Sequence, residues 1–148
     1  MSASIANTLT WFLVVFGWII THWLTSRREQ RKEIRSKLDE IRKKLIELEK
    51  AAIDFHTSDS FFIEKSRAIT LSISRISNEI ERESKIKIDT SYFRGELRRA
   101  ITLKNFDRSS FEKKDYDSPL LSKIADSHDQ LVGRLEMNYI NFYRDKLF

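Results

Sequence analysis

The first part of the chain contains a long stretch without a charged side chain. From Ser2 to Ser26 there is no Asp, Glu, Lys or Arg, and Ile5–Leu24 is rich in Leu, Ile, Val, Phe and Trp. A helix of roughly 20 mostly apolar residues crosses about 30 Å of hydrocarbon. Helices satisfy their own backbone hydrogen bonds, as lipid requires. The stretch therefore predicts a transmembrane anchor at residues 1–26.

A basic segment, here called the collar, follows at residues 27–37. It holds six Lys or Arg residues and two Glu residues. Cytoplasmic flanks of membrane spans carry an excess of Lys and Arg. The collar therefore predicts a single-pass protein of the cell inner membrane with its N-terminus outside and its C-terminus in the cytoplasm. Each base near an anionic surface contributes about 1 kcal/mol. The expected lipid head-group contacts are Arg27, Arg28, Lys32 and Arg35.

The remaining charge is nearly balanced. The 148 residues carry a net charge of +5, but after Lys50 there are 17 basic and 16 acidic residues. The basic excess therefore lies close to the anchor, which argues against nucleic acid as a partner and for the lipid membrane. Residues 27–148 are enough for one modest cytosolic domain. The absence of cysteine fits a reducing compartment.

The apolar pattern after the anchor is helical. The chain has three glycines and one proline, and none lies between Trp18 and Arg94. Apolar residues recur at alternating steps of four and three, which places them on one side of a helix. The first such seam is Ile34, Leu38, Ile41, Leu45, Leu48, Ala52 and Phe55, and the second is Phe62, Ile69, Ile73, Ile76 and Ile80. We expect an all-α fold in which a transmembrane helix continues into a small antiparallel helical bundle.

Polar residues divide the bundle into four predicted helices. His56–Ser60 should end the first helix, with the second running from near Asp59 or Ser60 to about Glu83. The third helix should begin at 89–91, and the fourth at Ser118 with Pro119 in its first position. The segment 105–117 is the longest predicted loop. The last helix carries a broad stripe that includes His128 and Phe142, and the chain ends in an aromatic segment at 139–148.

One face of the anchor is lined by small and polar residues. Small side chains let helices approach closely in lipid, and Asn or Thr can donate hydrogen bonds across the contact. The face therefore predicts a homo-oligomer, while an ordinary anchor that tolerates these residues is the alternative. A seven-residue step continues the face to Arg31, which would form a basic ring at the membrane exit if the helices supercoil. The candidate oligomer interface or pore residues are Asn7, Thr10, Val14, Gly17, Thr21 and Arg31.

No catalytic motif is present. The sequence has no cysteine nucleophile, no phosphate-binding glycine loop and no zinc-protease motif. The three histidines, His22, His56 and His128, are too scattered to predict a metal site. We expect His128 to be a buried polar member of the last stripe, and His56 to be a helix C-terminal residue favoured by the macrodipole. The sequence predicts no enzyme, no cofactor and no metal.

The layout of one N-terminal span before a small helical domain resembles that of small membrane proteins in bacterial phage-defence systems, such as the membrane accessory proteins of some RNA-targeting CRISPR loci. Several of those proteins carry a domain similar to HEPN ribonucleases, whose signature is Arg, four to six residues and then His. No arginine precedes His22, His56 or His128 at that spacing. The resemblance covers the layout alone and carries no functional residue to this chain.

Two functional hypotheses follow from the sequence. The first is a self-associating single-span protein that acts as a pore-forming or membrane-perturbing effector in antiviral defence, as suggested by the small and polar face of the anchor. The second is a membrane tether or adaptor whose cytosolic bundle recruits a protein partner, as suggested by the nearly neutral distal domain.

Overall fold

The structure of the chain is a computed structural model that describes residues 2–82 and 90–144, with side chains from Thr10 onward. It contains four α-helices: α1 (Ser2–His56), α2 (Ile63–Arg82), α3 (Ser91–Thr102) and α4 (Pro119–Arg144). No strand occurs in these described ranges. The all-α prediction is confirmed, and the four predicted helices correspond to the four observed ones.

The chain divides into two compact units, Met1–Lys37 and Leu38–Phe148, and α1 runs through both. The first unit contains the uncharged stretch and the whole collar. The two units therefore meet between Lys37 and Leu38, after the collar. The predicted boundary between the anchor and the cytosolic domain, at residues 26 and 27, stays a prediction. The second unit contains the rest of α1 and the other three helices.

Within the second unit, α1 and α2 form an antiparallel hairpin. The chain turns at residues 57–62, and Lys44 of α1 lies opposite Glu79 of α2. Each helix turns one apolar seam inward, because burying apolar surface away from water stabilises the fold by about 25 cal/mol per Å². The part of the first predicted seam that belongs to this unit, from Leu38 to Phe55, is buried throughout. The second is buried at Ile69, Ile73, Ile76 and Ile80, but Phe62 is 45% exposed, so its assignment to the seam was wrong.

The core of the second unit lies where all four helices meet. Leu45 and Leu48 of α1, Ile76 of α2, Leu97 of α3 and Leu131 of α4 surround the same small void. The helix α3 packs on α4, and the Arg134 guanidinium lies 5.9 Å from the centroid of the Phe93 ring. The predicted stripe of α4 is buried at Leu121, Ile124, His128, Leu131 and Leu135, whereas Phe142 is half-buried.

The helix ends correct two details of the sequence prediction. Helix α2 begins at Ile63, a few residues after the predicted Asp59 or Ser60, and Asp59 pairs with Lys113 at 2.6 Å. Thr90 precedes α3 as predicted, but its side chain makes no capping hydrogen bond. Ser118 does cap α4: its hydroxyl accepts the Leu120 amide at 3.3 Å, and Pro119 is the first helical residue as predicted. The predicted boundary residues Glu83 and Asp89 lie outside the described residues.

The transmembrane part of the fold prediction depends on the length and the apolar character of the helices. Among the residues whose side chains are described, no helix combines the length and the apolar character needed to cross a membrane. The transmembrane part of the fold prediction is therefore not supported by this finding and stays a prediction.

Candidate functional site

The described part of the uncharged stretch exposes apolar side chains on every side of α1. Large apolar residues from Trp11 to Leu24 are between 41% and 75% exposed, among them Phe12 at 75% and Trp18 at 68%. A helix that is apolar around its whole circumference is normally buried in a protein core or in lipid. Within the first unit nothing covers these described side chains, so this segment is the candidate functional site of the chain.

The proposed oligomer face lies within this segment. A methyl group added at Gly17 would meet no described atom within 4 Å, so the helix surface there is open to a close neighbour. Val14 is 58% exposed. Thr10 is exposed and already has an interaction within the chain. The side chain of Asn7 lies outside the described residues.

The threonines of the segment have their hydroxyl groups satisfied inside the helix. Thr21 Oγ1 donates to the Gly17 carbonyl oxygen at 2.8 Å, and Thr25 Oγ1 donates to the Thr21 carbonyl oxygen at the same distance. Such back-bonding lets a hydroxyl enter lipid without a partner helix. Close packing at Gly17 would therefore contribute more to association at this face than a hydrogen bond from Thr21.

The collar begins with a contact between a base and an aromatic ring. Arg27 Cζ lies 3.7 Å from the centroid of the Trp23 ring, a cation–π arrangement. Arg28 and Lys32 are exposed, whereas Arg31 and Arg35 are partly buried and already have interactions within the chain. Tryptophan and arginine together are typical of the water-facing end of a membrane helix. Of the predicted head-group contacts, Arg27, Arg28 and Lys32 are thus exposed, and Arg35 is partly buried.

The second unit contains a buried polar centre at His56, which is fully buried at the end of α1. His56 Nε2 lies 3.1 Å from the Ile101 carbonyl oxygen, which can only accept, so Nε2 carries the proton. His56 Nδ1 then accepts from Asn105 Nδ2 at 3.2 Å. The Lys114 amide donates to the His56 carbonyl oxygen at 2.8 Å and so completes the helix end.

Asn105 connects this histidine to the loop between α3 and α4. Its Nδ2 also donates to the Glu112 carbonyl oxygen at 2.8 Å, and its Oδ1 accepts the Glu112 amide at 2.6 Å. Asn105 has φ 60°, in the left-handed region that Asn tolerates better than most residues. We call His56, Asn105 and their backbone partners the clasp. The clasp holds the loop 103–118 against the end of α1.

The environment of the clasp keeps His56 neutral. Burial lowers the pKa of His56, and the positive charge of Lys114 lowers it further, against the opposite effect of the hydrogen bond to Ile101. Phe55 beside it packs against three other rings at centroid distances of 5.0–5.7 Å, those of Phe61, Phe106 and Phe111. His56 does end α1 as predicted, but the predicted reason was wrong, because a buried neutral imidazole gains nothing from the macrodipole.

His128 is buried in α4, as predicted. Its Nδ1 lies 3.1 Å from Asp129 Oδ1 and 3.5 Å from Glu49 Oε2, while its Nε2 is buried without a hydrogen-bond partner. His128 Nε2 is therefore closed to solvent.

Sequence reasoning missed Asn105 and Glu49. Asn105 falls at the start of the predicted loop, and its preference for positive φ was the one available signal. Glu49 belongs to a charged run whose other members are exposed, so nothing in the spacing marked it. Side chains that meet across helices leave no local pattern.

Known proteins add no further assignment. No group of three or more His, Asp or Glu side chains that could hold a metal ion occurs within the described part of the chain. No protein-family model, no curated protein and no solved structure matches this chain.

Proposed function

We propose that this chain is a self-associating single-span membrane protein. Ile5–Leu24 crosses the bilayer, the collar lies at the cytoplasmic surface, and the helical bundle of the second unit works in the cytoplasm. The copies pack through the face that contains Asn7, Gly17 and Thr21. The oligomer acts as a pore-forming or membrane-perturbing effector. The layout of one N-terminal span before a small helical domain suggests antiviral defence as the biological setting.

One observation carries this proposal. The described residues from Trp11 to Leu24 expose large apolar side chains all around a helix, and the uncharged stretch in the sequence begins earlier, at Ile5. The full stretch supplies the roughly 20 residues that a bilayer requires. Trp23 and Arg27 at its end favour an interfacial position for that turn of the helix.

The assembly is tested by a matched pair of substitutions in the detergent-solubilised chain. Gly17→Leu should break the oligomer, because the added side chain separates backbones that pack closely. Val15→Leu adds a single methylene on another face and should leave the particle mass unchanged. A wild-type particle with the mass of one chain, or an oligomer broken by Val15→Leu and not by Gly17→Leu, would contradict the proposed face.

Pore formation is tested separately, by ion flux through liposomes that contain the purified chain. A pore gives flux that Gly17→Leu abolishes. Arg31→Glu should change the preference for anions over cations if Arg31 lines the axis, because rings of charged side chains select ions of opposite sign. A stable oligomer without flux would leave self-association in place and remove the pore.

The tether remains as a second function, and one observation favours it. The clasp fixes the loop 103–118, and this loop exposes Leu103 at 71% and Tyr116 at 79%. In this second proposal these two exposed side chains contact the partner. A photo-reactive residue at position 116, but not one at Lys123, should then capture one defined protein in the native host even when Gly17→Leu has removed the oligomer.

A further inference from the structure

An open groove lies between α1 and α2 on the second unit. Its volume is about 450 Å³. Its walls include the small residues Ala51 of α1 and Ser72 of α2, which leave room for the backbone of another helix. Four charged residues line it, two acids and two bases: Glu47, Glu79, Lys44 and Arg75. The groove is therefore neutral overall and carries both signs of charge.

Two of these four charges are satisfied within the chain and two are not. Lys44 pairs with Glu40 and with Glu79, at 2.8 Å in each case. Glu47 and Arg75 are both exposed, and among the described residues neither makes an ion pair. They belong to opposite walls of one groove without reaching each other. An acid on α1 and a base on α2 are thus both available to a partner.

The antiparallel register places these two charges at nearly the same level. Lys44 lies opposite Glu79, and counting along both helices from that pair puts Glu47 opposite Ile76, next to Arg75. A two-fold axis parallel to the hairpin exchanges α1 and α2 between two copies. It would bring Glu47 of each copy to Arg75 of the other, the reciprocal pattern of an isologous interface.

We propose that this groove is a docking surface for a second copy of the same chain. The two hairpins pack groove to groove, with Ala51 and Ser72 at the closest approach and with two symmetric Glu47–Arg75 ion pairs. The inference rests on the proposed function, since copies held in one membrane lie close enough to dock. The proposal gives the second unit its own contact between copies, which is separate from the contact at the Gly17 face.

The test uses the full chain in liposomes and takes advantage of its lack of cysteine. Ala51→Cys provides a single thiol in the groove, and a short bifunctional maleimide cross-links copies that dock there. Tyr116→Cys, on the exposed loop between α3 and α4, is the matched control site. We expect efficient dimer formation from position 51 and little from position 116.

Charge reversal then identifies the contacts. Arg75→Glu or Glu47→Arg should each lower the yield at position 51 roughly tenfold, because each reversal acts twice in a symmetric dimer. The double exchange Glu47→Arg with Arg75→Glu should restore the yield. Arg67→Glu, an exposed reversal on α2 outside the groove, should leave it unchanged. Circular dichroism of each variant verifies that the helices remain folded.

The outcomes separate this inference from the proposed function. If neither reversal changes cross-linking at position 51 while Gly17→Leu dissolves the oligomer, the groove is not an interface and the membrane face stands. If folded single reversals lower the yield but the double exchange does not restore it, the reciprocal pairing is wrong. If the wild-type chain gives no cross-link and has the mass of one copy, both proposals fail.

Discussion

Two parts of the same helix α1 use apolar residues in opposite ways. Between residues 10 and 24 the apolar side chains surround the helix and are exposed on every side. Between Leu38 and Phe55 they form one seam that is buried within the second unit, with charged residues on the other faces. The second pattern is that of a helix half-immersed in water. The first pattern is that of a helix that is normally covered on all sides, by protein or by lipid.

The largest expected effect comes from replacing a leucine by aspartate in each of the two parts of α1. Leu45 is 1% exposed and Leu13 is 66% exposed. Leu45→Asp should destabilise the second unit by about 4 kcal/mol or more, because it buries a carboxylate among apolar side chains. Leu13→Asp should leave the thermal unfolding of the second unit unchanged in detergent, as followed by circular dichroism.

The same pair gives the reverse result in a membrane assay. Leu13→Asp should weaken insertion by roughly 3 kcal/mol, the cost of an acid near the middle of a membrane helix. Leu45→Asp should have no effect on membrane extraction by alkaline carbonate. If Leu13→Asp unfolded the second unit, or left extraction unchanged, the contrast between the two parts of α1 would be wrong.

The next largest effect concerns the clasp. Asn105→Ala removes the donor to His56 Nδ1 and both hydrogen bonds to the Glu112 backbone. Leaving a buried acceptor unsatisfied costs about 1–3 kcal/mol, so we expect a loss of about 3 kcal/mol in the unfolding free energy, measured by urea denaturation. Asn78→Ala, on an exposed part of α2, is the control and should cost less than 0.5 kcal/mol. An equal effect of the two variants would mean that the clasp does not hold the loop.

The clasp also makes the stability of the second unit depend on pH. Burial lowers the folded-state pKa of His56 below its ordinary value of 6.5. Above that value the imidazole is neutral in both the folded and the unfolded chain, so His56 does not lower the unfolding free energy. As the pH falls below about 6.5, the unfolded chain takes up a proton that folded His56 does not, so the unfolding free energy falls.

Denaturation curves at pH 7.5, 6.5 and 5.5 measure this effect. The wild-type chain should lose stability toward pH 5.5, and His56→Gln should lose less, since its amide can still donate to the Ile101 carbonyl oxygen without titrating. Lys114 is the charged neighbour that lowers the same pKa. Lys114→Gln should therefore reduce the loss without abolishing it. Equal pH dependence in wild type and His56→Gln would assign the effect to other groups.

The smallest expected effect concerns Thr90, which precedes α3 without a capping hydrogen bond. The Thr90 hydroxyl is buried without a hydrogen-bond partner. Thr90→Val keeps the shape and removes this unsatisfied group, so the unfolding free energy should change by less than about 0.5 kcal/mol or rise slightly. A capping threonine would instead lose about 1 kcal/mol. A loss of that size would show that Thr90 caps α3.

The number, order and inward faces of the helices could be predicted from the sequence. Apolar spacing is a local property, and the seam from Ile34 to Phe55 and the cap at Ser118 with Pro119 depend only on neighbours along the chain. The start of α2 was misplaced by a few residues, and the ion pair of Asp59 with Lys113, a residue far away in sequence, had no local signal. Only the folded chain brings these two residues together.

The same limit applies to the sites. The sequence identified the uncharged stretch, since its apolar character is a property of composition alone. It also identified His56 and His128 as notable residues, but it gave His56 the wrong environment. Burial, and after it the positive charge of Lys114 in the loop 103–118, lowers the pKa of His56, and neither is visible in the residues next to it. The position of Glu47 and Arg75 on opposite walls of one groove likewise depends on the register of two helices, which no single segment of the sequence determines.

The central claim is that Ile5–Leu24 crosses a bilayer, and its tryptophans test that claim most directly. All three tryptophans of the chain, Trp11, Trp18 and Trp23, lie in this stretch. At about 1.5 Å per residue, Trp11 and Trp18 should lie within roughly 5 Å of the middle of the span, and Trp23 near its end. Single-tryptophan variants in liposomes, with lipids brominated at deep or shallow positions, measure each depth by fluorescence quenching. We expect deep bromines to quench Trp11 and Trp18 most and shallow bromines to quench Trp23 most. Equal shallow quenching of all three, or none, would contradict a membrane-spanning helix.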